Sequence, residues 1–315
     1  MFYPSHALLQ LKQVDFTQAL LSFYVVKRNL HNKKSSCSVK QLELENSLKK
    51  RFRNIIINKI SQADSIESYD YNQPEPDDGF LLFRGQTEEL AQICQELEKN
   101  PPLVTEYNEL TGSNFYLICL TTAHDEKKIL AVRKISTHWR NRAVKSPLNL
   151  FYRNCQLKLL EESQIFQIDE QIDFLFYMGN IFIANKKNFE TAMNFRQKLR
   201  HNRDVIIDEI TRLAIFDHPE LLRELIDDKL KLLRQLAQIQ KSGYYRNAEY
   251  LRKAREVCRH EQWNIAFNEC GQIIITPETL PEILEILNND RLVSPINQEK
   301  FSVLQKHEVS TGHQK

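Results

Sequence analysis

The stretch over residues 164–200 constrains the fold more than any other part of the chain, because its apolar pattern changes period halfway along. β-branched and aromatic residues cluster on both sides of the turn at residues 178–180, which predicts a β-hairpin over residues 173–184. After Asn188 the apolar residues fall at helical spacing, and Asn188 is placed to cap the first free amides of that helix. A buried hairpin that leads into a capped helix is a nucleus around which other elements can pack.

The rest of the chain predicts an α+β fold, with a mixed β-sheet in the N-terminal and middle parts and a helical C-terminal portion. The predicted strands cover residues 16–27, 80–83, 115–121, 129–135, 148–160 and 273–275. The predicted helices cover residues 39–60, 87–99, 205–214, 217–243, 247–260 and 279–287, the last with a capping box of Thr279 and Glu282. We expect an N-terminal α/β part in residues 1–110, a family core in residues 111–301 and a disordered tail in residues 302–315.

Two segments carry a resemblance to a known family: FQIDEQIDFLFYMGNIFIANKKNFE and, after a largely helical stretch, NDRLVSPINQEKF. With them the chain resembles the uncharacterised-domain family found in KwaB, the soluble subunit of the bacterial Kiwa anti-phage defence system. The resemblance covers most of the chain after about Phe115. It implies a DNA-binding defence protein that forms a homodimer and works with KwaA, a membrane-spanning partner.

Charge is distributed unevenly along the chain, although the net charge is only +2. Residues 127–158 contain nine Lys and Arg and no Asp or Glu, whereas residues 61–110 contain twelve acidic residues against two basic ones. Such asymmetry predicts a polyanionic partner for the basic segment, with the acidic region facing elsewhere or docking on a basic surface.

The basic segment predicts a nucleic-acid interface, because guanidinium and ammonium groups neutralise phosphates and an interleaved ring such as Trp139 stacks on an exposed base. The expected DNA-binding residues are Arg133, Lys134, His138, Arg140, Arg142, Lys145 and Arg153. The alternative is that part of this segment is core strand, with its arginines paired to acidic residues. A second basic run, formed by Lys49, Lys50, Arg51 and Arg53 on a predicted helix, is either a further nucleic-acid contact or a solvated face.

No catalytic constellation is evident in the sequence. The seven glycines form no phosphate-binding loop, and the six cysteines form no CxxC pair and lack zinc-ligand spacing, so neither a cofactor nor a metal is predicted. Two other functions stay open. One is a metal-dependent nuclease that uses Asp169 or Asp173, and the other is an adaptor that docks through the basic segment.

The apolar runs bear on where the protein acts. None approaches the roughly 20 residues of a membrane-spanning helix, and the N-terminus lacks the layout of a signal peptide. We therefore expect a cytoplasmic protein that reaches the inner face of the membrane only through a partner.

Residues 217–243 also contain a defective heptad stripe, which is typical of intramolecular core or of a dimer seam.

Overall fold

A computed structural model describes residues 4–31, 34–71, 73–123, 127–135, 150–153, 156–159, 169–294 and 296–303. The chain divides into two compact units. The first unit comprises Met1–Tyr69 and Glu75–Asn194, and the second comprises Asp70–Pro74 and Phe195–Lys315. The fold is α+β, as predicted, with the large sheet in the N-terminal and middle parts and helices in the C-terminal part.

An eight-stranded mixed sheet organises the first unit. Its strands are β1 (Leu20–His31), β2 (Lys34–Leu42), β3 (Ser65–Ser68), β4 (Gly79–Arg84), β5 (Phe115–Thr121), β6 (Lys128–Lys134), β9 (Phe174–Tyr177) and β10 (Asn180–Ile183). Their order is β2-β1-β5-β6-β9-β10-β4-β3, and these neighbours pair antiparallel except for the parallel pair of β3 and β4. The sheet thus takes strands from both sides of the domain boundary predicted at residue 110. Two short strands, β7 (Leu150–Arg153) and β8 (Gln156–Leu159), pair with each other in a separate sheet.

Helices cover both faces of the large sheet. The central strands are therefore apolar at nearly every position, because the side chains on both faces are buried. On one face, α1 (Pro4–Lys12) and α2 (Asn46–Gln62) pack against the sheet, and Phe52 of α2 meets Phe23 with ring centroids 5.5 Å apart. On the other face lie α3 (Glu88–Glu98) and α4 (Lys186–Ala192). The ring of Phe189 in α4 meets that of Phe174 edge to face at 5.2 Å.

The second unit is mainly helical. Its helices are α5 (Phe195–Arg212), α6 (Glu220–Ile226), α7 (Leu230–Ser242), α8 (Ala248–His260) and α9 (Leu280–Leu287), and its strands β11 (Arg291–Val293) and β12 (Lys300–Ser302) form a two-stranded sheet. Its core collects the apolar stripes of α5, α7 and α9, including Ile210, Leu236 and Leu284.

The hairpin predicted from the period change is confirmed. β9 and β10 pair through a two-residue turn in which Met178 and Gly179 have φ of 47° and 73°. The predicted cap was wrong by three residues, because Asn185 rather than Asn188 precedes the helix in extended conformation. The Asn185 side chain accepts a hydrogen bond from the Asn188 amide at 2.8 Å.

Two predicted boundaries in the N-terminal part were wrong. The strand predicted over residues 16–27 begins at Leu20 and runs to His31, and the first four residues of the helix predicted over residues 39–60 belong to strand β2. The cause is the alternation of buried Cys37 and Val39, which fits a ladder in which Val39 pairs with Val26. Helix α2 therefore starts only at Asn46.

Four further predictions, three of them in the C-terminal part, also need correction. The single helix predicted over residues 217–243 is divided at Asp227, which has φ of 39°, and its heptad stripe packs within the core of its own unit. Ile273 makes isolated bridges to Phe216 and Phe267 instead of a strand. Thr279 precedes α9 without capping it, because its hydroxyl accepts a hydrogen bond from the Thr276 amide. The strand predicted over residues 148–160 is the pair β7 and β8.

Candidate nucleic-acid interface

The predicted DNA-binding residues fall into three groups in the structure. Arg133 and Lys134 end strand β6. Arg153 lies in β7, where only the backbone is described. His138, Arg140, Arg142 and Lys145 lie outside the described residues.

The guanidinium of Arg133 forms hydrogen bonds with two carboxylates. Its Nε donates to Oδ1 of Asp169 at 2.8 Å, its Nη2 donates to the other oxygen of the same carboxylate, and its Nη1 donates to Oδ1 of Asp173. The Arg133 side chain is only 11% exposed. We call these three residues, Arg133, Asp169 and Asp173, the Arg133 clamp.

Asp173 is the buried member of the Arg133 clamp and has no exposed surface. Its carboxylate also accepts hydrogen bonds from the Lys134 amide at 2.7 Å and from Nδ2 of Asn188 at 2.9 Å. Burial raises the pKa of Asp173, and these hydrogen bonds together with the charge of Arg133 oppose that shift by stabilising the ionised carboxylate. The clamp therefore ties β6, the start of the β9–β10 hairpin and helix α4 to one point.

The loop over residues 169–173 is fixed at two further places. Tyr116, which pairs with Arg133 across β5 and β6, donates its hydroxyl to the backbone oxygens of Asp169 at 2.7 Å and Gln171 at 3.0 Å. Burial raises the pKa of Tyr116, so this hydroxyl keeps its proton and remains a donor. From α2, Arg51 forms an ion pair with Glu170.

A long basic excursion leaves and rejoins the sheet at this point. β6 and β9 are neighbours in the sheet, with Val132 paired to Phe174, yet residues 136–168 separate them in sequence. The amide of Ile135 donates to the Asn114 oxygen at 2.8 Å, and the amide of Asp173 donates to the Val132 oxygen at 2.9 Å. Backbone hydrogen bonds thus fix Ile135, which precedes this part of the chain, and Asp173, which follows it. Residues 136–168, which we call the basic excursion, hold five Lys and Arg and no acid before Glu161.

The Arg133 clamp occupies the two carboxylates that the nuclease alternative would use to bind a metal. Arg133 holds Asp169 and Asp173, so a metal could take these carboxylates only if the guanidinium left them. Within the part of the chain that the structure describes, no group of three or more His, Cys, Asp or Glu side chains is arranged to hold a metal ion.

Sequence reasoning missed how Arg133, Tyr116 and Asp173 act together. The alternation of β5 and β6 contained a signal, since it places Tyr116 and Arg133 on the same face of the sheet. The partner carboxylates had no such signal, because 36 residues separate Arg133 from Asp169.

The fold defines an α+β protein in which the chain between β6 and β9 carries five Lys and Arg and no acid before Glu161. A family model described as Kiwa protein KwaB-like matches residues 112–297, which is more than half of the chain. The chain belongs to this KwaB-like family, and the family associates it with Kiwa anti-phage defence. No curated protein and no solved structure matched the chain.

The matched residues 112–297 include the Arg133 clamp, the basic excursion and most of the second unit, whereas α2 lies outside them. Of the helices that the structure describes, none combines the length and the apolar character needed to cross a bilayer.

Proposed function

We propose that this protein defends bacteria against phages by binding DNA largely without sequence specificity and impeding the replication or transcription of phage DNA. The observation that carries the proposal is the run of five Lys and Arg without an acid over residues 136–160 of the basic excursion. The Arg133 clamp joins Arg133, which precedes the excursion, to Asp169 and Asp173, which follow it. The family supplies the biological setting, and from it we further propose action in the cytoplasm, a KwaA-like membrane partner and a homodimer.

The proposed DNA contacts come from the excursion itself. Arg140, Arg142 and Lys145 lie within six positions of one another, and Arg153 and Lys158 follow before the first acid. Cations concentrated in this way bind phosphates and release counterions, a mechanism that depends on charge and not on base sequence. His138 and Lys134 belong to the same proposed surface.

Arg133 receives a different role in this proposal. Because its guanidinium is already engaged with two carboxylates, it contributes to binding by fixing the root of the excursion and not by contacting phosphate. A variant that reverses Arg133 together with the other cations would therefore confuse weaker DNA binding with a damaged fold. The test must leave Arg133 intact.

The experiment measures binding of labelled random duplex DNA to the full chain across a salt series. One variant carries Arg140→Gln, Arg142→Gln and Lys145→Gln. The matched control carries Lys231→Gln, Arg252→Gln and Lys253→Gln, which removes the same charge from exposed positions on α7 and α8. We expect the first variant to bind more weakly and to lower the slope of log affinity against log salt by about 1 for each phosphate that it no longer neutralises, since each neutralised phosphate releases about one counterion. The control should stay close to wild type.

Two other results would redirect the proposal. Cleavage of the DNA on long incubation with Mg²⁺ would favour the nuclease alternative. Salt-sensitive self-association of a wild-type protein that does not bind DNA would favour the adaptor. Sedimentation of the wild-type protein over a range of concentrations tests the proposed homodimer separately.

A further inference from the structure

We infer that helix α2 lies along the phosphate backbone of the DNA duplex that the basic excursion binds. This inference rests on the proposed function and extends its contact surface to a helix outside the residues matched by the family model.

The outward face of α2 is a continuous polar stripe. Phe52, Ile56 and Ile60 are buried against the sheet. The opposite side presents exposed residues at helical spacing: Ser47, Lys50, Arg51, Asn54, Asn58 and Ser61. At 1.5 Å per residue the stripe is about 21 Å long, which matches about six phosphates along one DNA strand.

The charge of α2 is one-sided. Its 17 residues contain five Lys and Arg and no Asp or Glu. On α8, by contrast, Arg252 and Lys253 pair with Glu256 and Glu249 of the same helix. On α2, Lys49 and Arg51 pair with Glu43 and Glu170, which lie outside the helix. Exposed helices usually carry both signs themselves, so a helix without an acid of its own indicates an anionic partner.

Several donors on the stripe have no partner within the described part of the protein. The side chains of Lys50, Asn54 and Asn58 form neither a hydrogen bond nor an ion pair with another described residue. Beside the stripe, Nε of Arg53 is buried without an acceptor. Amides, hydroxyls and cations in a row are the groups that bind successive DNA phosphates without reading bases.

The position of α2 places this stripe next to the loop over residues 169–173, which directly follows the basic excursion in sequence. Arg51 pairs with Glu170 in the loop where the excursion rejoins the sheet. The ring of Phe52 packs 6.1 Å from that of Tyr116, whose hydroxyl binds the same loop. Helix α2 therefore contacts the loop at which the chain returns from the excursion. We infer from this contact that a duplex bound by the excursion passes beside α2.

The test replaces neutral donors by acids of nearly equal size. Asn54→Asp and Asn58→Asp are combined in one variant, and Gln95→Glu and Gln262→Glu, both at exposed positions, form a control with the same change in net charge. We expect the α2 variant to bind a random duplex of about 25 base pairs roughly tenfold more weakly than the control, because its new carboxylates face phosphates. Lys50→Gln should lower the salt slope by about 1. Circular dichroism and melting temperatures of the variants establish that they are folded.

The outcomes separate this inference from the proposed function. If the α2 variant binds like its control while the Arg140, Arg142 and Lys145 variant does not bind, α2 is not part of the DNA surface and the proposed function stands. If the wild-type protein does not bind duplex DNA at all, both are overturned. If the α2 variant binds DNA more weakly than wild type and its charge-matched control does not, the inference is supported.

Discussion

At the scale of single residues, Arg133 neutralises two carboxylates, and one of them, Asp173, has no contact with solvent. Arg133→Gln leaves that carboxylate buried without its counter-ion. We expect the free energy of unfolding to fall by about 3 to 5 kcal/mol, which is typical when one partner of a buried pair is removed. Urea denaturation followed by circular dichroism measures the decrease.

The matched control for this prediction is Arg51→Gln. Arg51 and Glu170 form a pair in the same region, but both side chains are more than half exposed. Exposed pairs contribute about 1 kcal/mol or less, so the control should change stability little. Equal effects of the two substitutions would mean that the Arg133 clamp does not hold the sheet and the loop together.

In the second unit, Glu209 provides a pH-dependent contribution to stability. Arg246 donates to both of its carboxylate oxygens, and Tyr245 donates at 2.7 Å. These bonds lower the pKa of Glu209 from 4.5 to about 2. Because the folded pKa lies below the unfolded one, the stabilisation is complete above the unfolded value near 4.5 and is lost as the pH falls towards 2.

Glu209→Gln should therefore cost about 1 kcal/mol near neutral pH, a value kept small by the exposure of the pair. The difference in unfolding free energy between wild type and variant should shrink as the pH is lowered from about 5 to about 3. Denaturant unfolding at several pH values follows that difference. A constant difference across this range would show that the carboxylate charge of Glu209 is not what stabilises the unit.

At the scale of elements, the β9–β10 turn carries a residue that its geometry does not favour. Met178 is 66% exposed and adopts φ of 47°, a left-handed conformation that Asn tolerates better than Met. Met178→Asn should raise the free energy of unfolding by about 0.5 kcal/mol, since it relieves strain without removing buried contacts. A thermal melt against wild type detects the shift. A lower melting temperature would mean that Met178 makes a contact that outweighs the strain.

The elements predicted best from the sequence are those whose conformation follows from local residue propensities and flanking turns. β5, β6 and the β9–β10 hairpin were found because they are short, rich in β-branched and aromatic residues, and bounded by turns. Strand β2 was missed because its Ser and Lys residues have low strand propensity, and its conformation comes from pairing with β1. The division of the predicted 217–243 helix at Asp227 had no local breaker such as Gly or Pro.

The candidate site was predictable in part for a related reason. Charge asymmetry is a property of composition, so the acid-free segment was visible without a fold. Whether a given cation is paired with a carboxylate depends on the tertiary structure and is not visible in the sequence. Arg133 lies in the basic segment by sequence but is paired by Asp169 and Asp173, which approach it only because β6 and β9 are neighbours in the sheet.

At the scale of the whole molecule, a net charge of +2 conceals a chain with an acidic region at residues 61–110 and a basic excursion at residues 136–168. Such a molecule is not drawn to polyanions by its overall charge, so the proposed attraction to DNA must be local. A small number of substitutions in the excursion should therefore abolish it.

Because the proposed DNA contacts lie in one segment, defence can be tested in cells that also carry the proposed KwaA-like partner. The variant with Arg140→Gln, Arg142→Gln and Lys145→Gln should lose protection, so that phages plate nearly as well as on cells without this protein. The charge-matched variant with Lys231→Gln, Arg252→Gln and Lys253→Gln should protect like wild type, because its cations lie outside the proposed DNA surface. Plaque counts measure both, with immunoblots to establish equal protein levels. Full protection by the first variant would mean that defence does not depend on these cations, and failure of both variants to protect would mean that net charge matters more than its location.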